Sequence, residues 1–541
     1  MGKISSLDGS NPQGAASDPS GGRLSRANIR AMWLISAALF AVSLVLFTAG
    51  NSFPYYYHPD EPLEVQLVTN GETNFHHPLL MGNVTDLVSR LLGNPRTPQH
   101  IVVVGRWCVA VFGAIAVVAL AWLAFYFGGL LAGIVTGFLV SINPLLVENA
   151  HFYKEDTALL MGLALSFLAI AMFWENPSWK LAVFLGVASA LAVSGKYVGI
   201  IAMLLSVVTV FLAPGKAPRV RHLLVFLGVF VATILLVNYQ VFWGQHVFSS
   251  GVNRELEFLW AGGNAGLSQA IPHKRYFDLL IERTNVFFGF FIAWRLIQMF
   301  RNPRVHPLPE WLFAAFPFVF TLVLAFTPKM AARYFLPAGA MSYYLAGLGV
   351  SDFCQFIDPR LRRWRWGSHF VVIPVCILAV SWAFLFRTIS VLQGFQSDSR
   401  KNLAVWIRAN IAPDAIIAED SRVALAPLNE KEMKDRAVVL DQTVISERYV
   451  ADLGPLSLLS QRSVSYVAVY ASEQSDLRPT AAVRGSYQRR KAFYKELAQN
   501  GSLVWRSEPG APLTLRPELL LYRLADLRSQ LVPKSSAPPV Q

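Results

Sequence analysis

Long apolar runs separated by short polar segments dominate this chain, and they limit its fold more than any other feature. A membrane-spanning helix needs about 20 predominantly apolar residues, and eleven runs approach or exceed that length. With 54% hydrophobic and 15% charged residues and a mean hydropathy of +0.41, a water-soluble globule would leave large apolar surfaces wet. The sequence therefore predicts a polytopic α-helical membrane protein.

The predicted spans set the architecture, and their bounds lie where apolar runs meet polar residues. The fifth, sixth and eighth are less regular, because they are short or carry an internal charge such as Arg295. Two of them could instead form one broken helix. In chain order the predicted spans are 31–50, 101–127, 130–147, 157–174, 179–194, 197–212, 223–243, 276–300, 311–326, 334–350 and 370–386.

Short basic runs indicate the orientation, because lysine and arginine concentrate in cytoplasmic loops. From a cytoplasmic N-terminus, the count of spans places the runs 216–221, 301–304 and 360–365 on the cytoplasmic side. The net charge of +13 is therefore interpreted as topology and attraction to anionic lipid, and not as nucleic-acid binding. We expect a multi-pass protein of a bacterial or archaeal plasma membrane, with its C-terminal region outside.

Composition divides the chain into four parts. The first 30 residues are rich in Gly, Ser, Pro and Asn, which predicts a disordered tail, and they show no cleavable signal-peptide pattern. Cys108, Cys354 and Cys376 lie in or beside predicted spans, so no disulfide framework is expected outside the membrane. The predicted parts are a cytoplasmic tail (1–30), a multi-span membrane domain (31–390) with outer loops at 51–100 and 244–275, an extracytoplasmic α/β domain (391–525) and a flexible tail (526–541).

The α/β character of the third part is read from alternating patterns. Amphipathic or charged helical stretches lie near 400–410 and 488–500. Short apolar runs typical of strands are found at 415–418, 437–440, 466–470, 503–505 and 519–522.

The first chemical motif follows the first span and reads Tyr-Tyr-Tyr-His-Pro-Asp-Glu-Pro at 55–62. It places two carboxylates, Asp60 and Glu61, beside aromatic residues that favour the membrane interface, where they can serve acid–base chemistry. A structural alternative is that Asp60 caps a helix from Glu61 to about Thr69, with Pro62 in its first turn. The two interpretations are compatible, because a capping position also holds a carboxylate rigidly.

A second acidic motif, His-Phe-Tyr-Lys-Glu-Asp at 151–156, lies between the third and fourth predicted spans, on the same face as the first. Charged residues at membrane depth are costly and tend to point into a protein cavity, which favours a functional site over a solvated loop. His151 could also bind a divalent metal together with Asp60 and Asp156, although no metal-site spacing stands out. The sequence defines no cofactor.

Two cations lie next to apolar runs on the outer face, Lys196 at 194–197 and Arg333 at 329–335. Arginine matches phosphate oxygens with a planar fork, and lysine supplies a point charge. The alternative for each is snorkelling, in which the charge reaches the headgroup region and does nothing further. Carboxylates and cations on one face favour a substrate that carries a phosphate, a lipid tail and a hydroxyl-bearing group.

Together these motifs resemble those of GT-C fold glycosyltransferases that use polyprenyl-phosphate sugars, the group of protein O-mannosyltransferases and the aminoarabinose transferase of lipid A. The chain departs from the family in two places. The family usually has an arginine ahead of its second aspartate, where this chain has His151 and Lys154. Many members also carry a His-Pro-Pro-Leu motif, and Leu79 stands here in place of its second proline. The matching pieces are the Asp60–Glu61 pair, Phe-His-His-Pro-Leu at 75–79, Asn-Pro-Leu at 143–145 followed by His151 and Asp156, Ser-Gly-Lys-Tyr at 194–197 and Ala-Arg-Tyr-Phe-Leu-Pro at 332–337.

The resemblance implies transfer of a monosaccharide from a polyprenyl-phosphate carrier to an acceptor hydroxyl on a glycan, lipid or protein outside the membrane. It implies that Asp60 is the general base, which accepts the proton of the attacking hydroxyl. Glu61 would support Asp60 or contact the sugar. Asp156 would orient the sugar or the acceptor, or help bind a metal.

The resemblance also assigns the cations and the aromatic and histidine residues of the site. Lys196 and Arg333, with Lys154, would stabilise the charge on the leaving phosphate. Contacts to the acceptor or sugar are expected from His58, His76, His77, His151 and Tyr197.

A transporter or flippase of a lipid-linked sugar is the alternative function, because it too needs many spans, phosphate-binding cations and a polar cavity. Transporters often show repeated halves, whereas here the acids cluster in the first third of the chain and no internal repeat is visible. A membrane scaffold would leave the aligned acids and cations unexplained. The segment 244–275 either covers the active-site mouth or is a passive loop, and the C-terminal domain either recognises the acceptor or is a structural cap.

Overall fold

The computed structural model describes residues 25–93, 95–214, 219–261, 285–326, 331–361, 369–426, 440–471, 484–512 and 514–524. Most of the two predicted tails, most of the basic run 360–365 and the segment 262–284 lie outside the described residues.

Helices make up most of the described chain. Six stretches are long and apolar enough to cross a membrane, and the shorter apolar stretches Trp179–Gly195 and Tyr197–Leu212 accompany them. The predicted polytopic helical fold is thereby confirmed. In order, the helices are α1 (Arg26–Thr48), α2 (Glu61–Asn70), α3 (Leu80–Leu91), α4 (Pro98–Ser141), α5 (Pro144–His151), α6 (Asp156–Glu175), α7 (Trp179–Gly195), α8 (Ile200–Leu212), α9 (Arg219–Val237), α10 (Gln245–Ala261), α11 (Val286–Arg301), α12 (Leu308–Ala325), α13 (Leu336–Leu361), α14 (His369–Gln396), α15 (Ser399–Asn410), α16 (Leu456–Gln461) and α17 (Arg484–Asn500).

Element α4 is a helical hairpin and not one straight helix. Gly129 has φ 80° and ψ −171°, a backbone conformation that is essentially restricted to glycine. Beyond it the chain reverses, since a Cβ placed on Gly137 would lie 3.1 Å from the Cβ of Ala121. A continuous helix would separate those two positions by about 24 Å. The two arms of the hairpin correspond to the second and third predicted spans.

Two predicted spans end earlier than expected. In each case an asparagine follows the end of the helix, and its side chain forms hydrogen bonds outside that helix. The span predicted to reach residue 147 stops at Ser141, and Asn143 caps the separate helix α5. The span predicted to reach residue 243 ends at Val237, because the side chain of Asn238 accepts from the Leu79 N–H and donates to Ser194. In contrast, α13 runs past the predicted end at residue 350 to Leu361.

The C-terminal part contains a five-stranded sheet in the order β2-β1-β3-β5-β4, which confirms the predicted α/β character. Ala418 packs with Leu497 of α17 on one face, and Ile417 packs with Leu403 of α15 on the other. The first three strands are parallel and the last two are antiparallel to their neighbours. The strands are β1 (Ile416–Asp420), β2 (Thr443–Glu447), β3 (Val464–Tyr470), β4 (Gly501–Arg506) and β5 (Leu519–Leu524).

The second strand, Thr443–Glu447, was not among the runs predicted as strands. The run predicted at 437–440 precedes it in the chain. Residues 437–439 lie outside the described residues.

Candidate active site

Asp60 precedes α2, and its carboxylate faces cations from other parts of the chain. It occupies the N-cap position of a helix that has Pro62 in its first turn, but its side chain makes no capping hydrogen bond. Instead its Oδ2 lies 3.2 Å from Arg333 Nη2 and 3.7 Å from Lys154 Nζ, while 36% of the side chain stays exposed. A carboxylate that is exposed to this degree can be reached by a substrate hydroxyl.

Glu61 is fully buried behind Asp60 in a network with α4. Its oxygens accept from Arg106 Nε at 2.9 Å, from Arg106 Nη2 at 2.5 Å and from the Tyr153 N–H at 2.8 Å. Arg106 also donates to the carbonyl of Phe53 and lies 3.4 Å above the centre of that ring. The structure thus places Glu61 where it supports the loop of Asp60.

The second acidic motif forms the turn between α5 and α6 and brings three charged side chains to the same place. Lys154 is 5% exposed, and its Nζ lies 3.2 Å from Glu155 Oε2 and 3.6 Å from Glu64 Oε1. Asp156 is the first residue of α6. Lys154 therefore contacts carboxylates of both acidic loops.

Close packing of α6 against α7 positions Lys196. A Cβ on Gly195 would lie 2.6 Å from the backbone nitrogen of Leu159, so glycine lets the end of α7 touch the start of α6. Lys196 follows directly, and its Nζ lies 2.7 Å from Asp156 Oδ1 and 3.2 Å from Glu155 Oε1.

Arg333 joins the two acidic loops from the opposite side. It belongs to the 3-10 turn Ala332–Phe335 before α13, and its guanidinium lies 3.2 Å from Asp60 Oδ2 and 3.7 Å from Asp156 Oδ2. The Lys196 ammonium lies 4.9 Å from the centre of the Tyr334 ring. Both cations thus point into the cluster of acids, so the snorkelling alternative does not fit them.

Two of the predicted sugar-contact residues hold the loops of the site. His58 is buried, which lowers the pKa of its imidazole to about 3 and keeps it neutral, and its Nδ1 accepts from the Asp60 N–H at 3.3 Å. Tyr197 Oη donates to the carbonyl of Phe75 at 2.9 Å. His76, next in the chain, is half-buried, and its N–H donates to the Asn74 side chain.

Of the predicted contact residues His77 and His151, the first lies within the site and the second does not. His77 is 25% exposed, and its Nε2 lies 3.4 Å from Glu155 Oε1, within the site. His151 is fully buried with both ring nitrogens on backbone carbonyls, those of Val147 and Ala49 at 2.6 and 2.9 Å. The structure therefore corrects the assignment of His151, which cannot contact a sugar or join the predicted metal set from this position.

A different group has the geometry to hold a metal ion. Ligand atoms of Glu64, His77 and Glu155 lie within 4.8 Å of one another. However, the ammonium groups of Lys154 and Lys196 each lie 3.2 Å from a Glu155 oxygen and already neutralise it. A divalent cation at close range would be repelled by both. These residues fit internal ion pairing better than a resident metal.

The pKa values of two acids diverge within this cluster. Burial raises the pKa of Asp60, but the charges of Lys154 and Arg333 outweigh that effect and leave it below the ordinary value. Burial raises the pKa of Glu64 to about 7, although Lys154 opposes the shift. At neutral pH, Asp60 is ionised and Glu64 is partly protonated.

Three site residues escaped the sequence analysis. Glu64 stands one helical turn after Asp60, a spacing that places both on one face of α2. Arg106 carried a stronger signal, because an arginine inside an apolar run is costly and needs a partner. Glu155 lay inside the second motif but was not named among the candidate site residues.

Comparison with known proteins agrees with this architecture. Residues 76–243 match the family described as dolichyl-phosphate-mannose-protein mannosyltransferase. The structure resembles apo ArnT from Cupriavidus metallidurans with 13% identity and a TM-score of 0.51, over 92% of this chain and 98% of ArnT. It also resembles the archaeal oligosaccharyltransferase AglB from Archaeoglobus fulgidus, solved with an inhibitory peptide and a dolichol-phosphate, with 11% identity and a TM-score of 0.50, over 86% of this chain and 72% of AglB. No curated protein sequence matches.

The chain has the GT-C fold of membrane glycosyltransferases, which confirms the predicted resemblance. The matched segment 76–243 contains Lys154, Asp156 and Lys196 but neither Asp60 nor Arg333.

Proposed function

We propose that this protein is an inverting glycosyltransferase that moves a monosaccharide from a polyprenyl-phosphate carrier to an acceptor hydroxyl on the outer face of the membrane. One observation carries the proposal: a partly exposed carboxylate, Asp60, is joined through Arg333 to a second acidic loop whose carboxylates also form ion pairs with Lys154 and Lys196. A base beside a cluster of cations is what attack on a phosphate-linked sugar requires.

In the proposed step, Asp60 accepts the proton of the acceptor hydroxyl while the hydroxyl oxygen bonds to the anomeric carbon. The bond between that carbon and the phosphate oxygen breaks, and its electron pair leaves with the lipid phosphate. Because attack and departure occur on opposite faces, the configuration at the anomeric carbon inverts.

The cations bind and stabilise the leaving phosphate. Arg333 and Lys196 are held by Asp156 at 3.7 and 2.7 Å, so a phosphate meets charges that are already oriented. Such preorganised charges stabilise a developing anion without reorganisation. Lys154 is more deeply buried, with 5% of its side chain exposed, and its positive charge also stabilises the leaving phosphate.

Donor binding would also activate the base. In the free site, Arg333 and Lys154 lower the pKa of Asp60, which makes it a weak base. A phosphate that shares these cations offsets their charge and raises the basicity of Asp60. Asp60 would therefore become an effective base only when the donor is in place.

The proposed partners are a polyprenyl-phosphate sugar, a glycan, lipid or protein acceptor, and the bilayer itself. The proposed setting is a bacterial or archaeal plasma membrane. The charged cluster and the match of residues 76–243 support a lipid-linked donor, and the apolar helices support the bilayer as a partner.

The test uses the full chain purified in detergent, a panel of polyprenyl-phosphate monosaccharides and native membrane extract as acceptor source. Release of polyprenyl phosphate from one donor, with an inverted anomeric centre in the product, is the expected result. If no donor is consumed while reconstituted vesicles move the lipid-linked sugar across the bilayer, the protein is a transporter and the proposal fails.

A further inference from the structure

The chain enters its C-terminal domain through the segment 394–400, which touches both acidic loops. The ring of Phe395 lies 5.5 Å from that of Phe53, which precedes the first acidic motif. It lies 5.5 Å from the ring of Phe152 and stacks on His151 at 3.9 Å, and these residues belong to the second motif. One side chain of this segment therefore packs against both loops.

Arg400, five residues later, bonds directly to the loop of Asp60. It is 4% exposed, its Nη1 donates to the Tyr57 carbonyl at 2.7 Å, and its guanidinium lies 4.2 Å from the centre of the Tyr57 ring. Asp398 holds the same guanidinium at 3.1 and 3.2 Å, and the Thr514 carbonyl accepts from Nη2.

We propose that Arg400 is a positioning residue for sugar transfer, which fixes the turn that presents Asp60 and thereby links the C-terminal domain to turnover. This inference rests on the proposed function, in which Asp60 is the general base. Tyr57 stands three residues before Asp60, and Pro59 between them restricts the backbone. Displacement of the Tyr57 carbonyl is therefore transmitted to the carboxylate.

Arginine suits this role better than lysine. Its planar fork can bond a carbonyl and a carboxylate at once and stack on a ring, whereas an ammonium offers a point charge. A lysine at position 400 would keep the charge and lose part of this geometry. The two roles considered for the C-terminal domain, acceptor recognition and structural cap, do not by themselves require a bond to the loop of the base.

The test compares steady-state kinetics of Arg400→Gln, Arg400→Lys and wild type in the full chain, with the donor identified as above. We expect Arg400→Gln to lower kcat by about 10- to 100-fold, the cost of a misplaced catalytic group, with donor KM changed by less than about twofold. Arg400→Lys should fall between. Arg408→Gln, at an exposed position in the same helix α15, is the matched control and should behave as wild type.

Two results would overturn the inference: wild-type kcat in Arg400→Gln, or an effect confined to acceptor KM. If Arg400→Gln does not insert, Arg400→Lys and Asp398→Asn decide, and wild-type kcat in both refutes the role. Asp60→Asn in the same assay separates the two proposals. Full turnover in that variant refutes the proposed function, whereas an inactive Asp60→Asn beside an unaffected Arg400→Gln refutes only the role of Arg400.

Discussion

Among the described acids of the site, the side chains differ in how far solvent reaches them. Asp60 is 36% exposed, whereas Glu64 is 16% and Asp156 is 3% exposed. The buried acids hold the cations in place. Asp60 alone of these three combines cation contacts with ready access for a hydroxyl, which is why the chemistry is assigned to it.

Glu64 should make donor binding depend on pH. Its pKa of about 7 means that it loses its proton as the pH rises through neutrality, and it then adds a negative charge 3.6 Å from Lys154. That charge opposes a donor phosphate, so donor KM should rise severalfold from pH 6 to pH 8. In Glu64→Gln the rise should be absent, and a rise equal to that of wild type would exclude Glu64 as its cause.

Arg106 should matter for stability more than any surface arginine. Arg106→Gln would leave Glu61 buried without its charge partner, which typically costs about 3–5 kcal/mol. Thermal unfolding in detergent should show a large loss for this variant and little change for Arg408→Gln. The double variant Glu61→Gln with Arg106→Gln removes both charges and should recover part of the lost stability. If it recovers none, the loss in Arg106→Gln does not come from breaking the ion pair.

The sequence predicted the acids and cations that flank apolar runs, because a charge at a membrane boundary stands out locally. Glu64 and Glu155 were missed as site residues because their roles depend on which loops the fold brings together. His151 was misassigned for the same reason, since nothing in its motif reveals that both nitrogens of its ring lie against backbone carbonyls, those of Val147 and Ala49.

At the scale of elements, the hairpin of α4 depends on one glycine. Gly129→Ala would place a Cβ in a backbone conformation that costs about 1–3 kcal/mol for other residues. Gly228→Ala is the matched control, because this glycine lies in helix α9 and a Cβ added to it would meet nothing within 4 Å. The thermal unfolding temperature should fall for the first variant and hold or rise for the second, and equal behaviour would contradict the hairpin.

Apolar length predicted most membrane helices, because the bilayer thickness sets a minimum run. The breaks at Asn143 and Asn238 were not visible, since an asparagine ends a helix only where a suitable partner is available, such as the Leu79 N–H for Asn238. The strand at Thr443–Glu447 was also missed, although its β-branched residues 443–445 favour a strand, and it pairs along its whole length with β1.

At the scale of the whole molecule, the orientation predicted from basic loops has a direct test. Arg408→Cys and Arg304→Cys introduce thiols at exposed positions, in a chain whose own three cysteines are buried. In intact cells a membrane-impermeant maleimide should label the first variant and not the second. The reverse pattern would place the C-terminal domain in the cytoplasm and the site on the cytoplasmic face of the membrane, which contradicts the predicted orientation.

Turnover of the donor by wild type and by Asp60→Asn tests the central claim most directly. The substitution keeps the shape of the side chain and removes its ability to accept a proton. We predict that release of polyprenyl phosphate falls by about 100-fold or more in Asp60→Asn. The control is Glu72→Gln, which replaces an exposed acid that follows helix α2 and should keep wild-type activity. Full turnover by a correctly inserted Asp60→Asn would show that Asp60 is not the base.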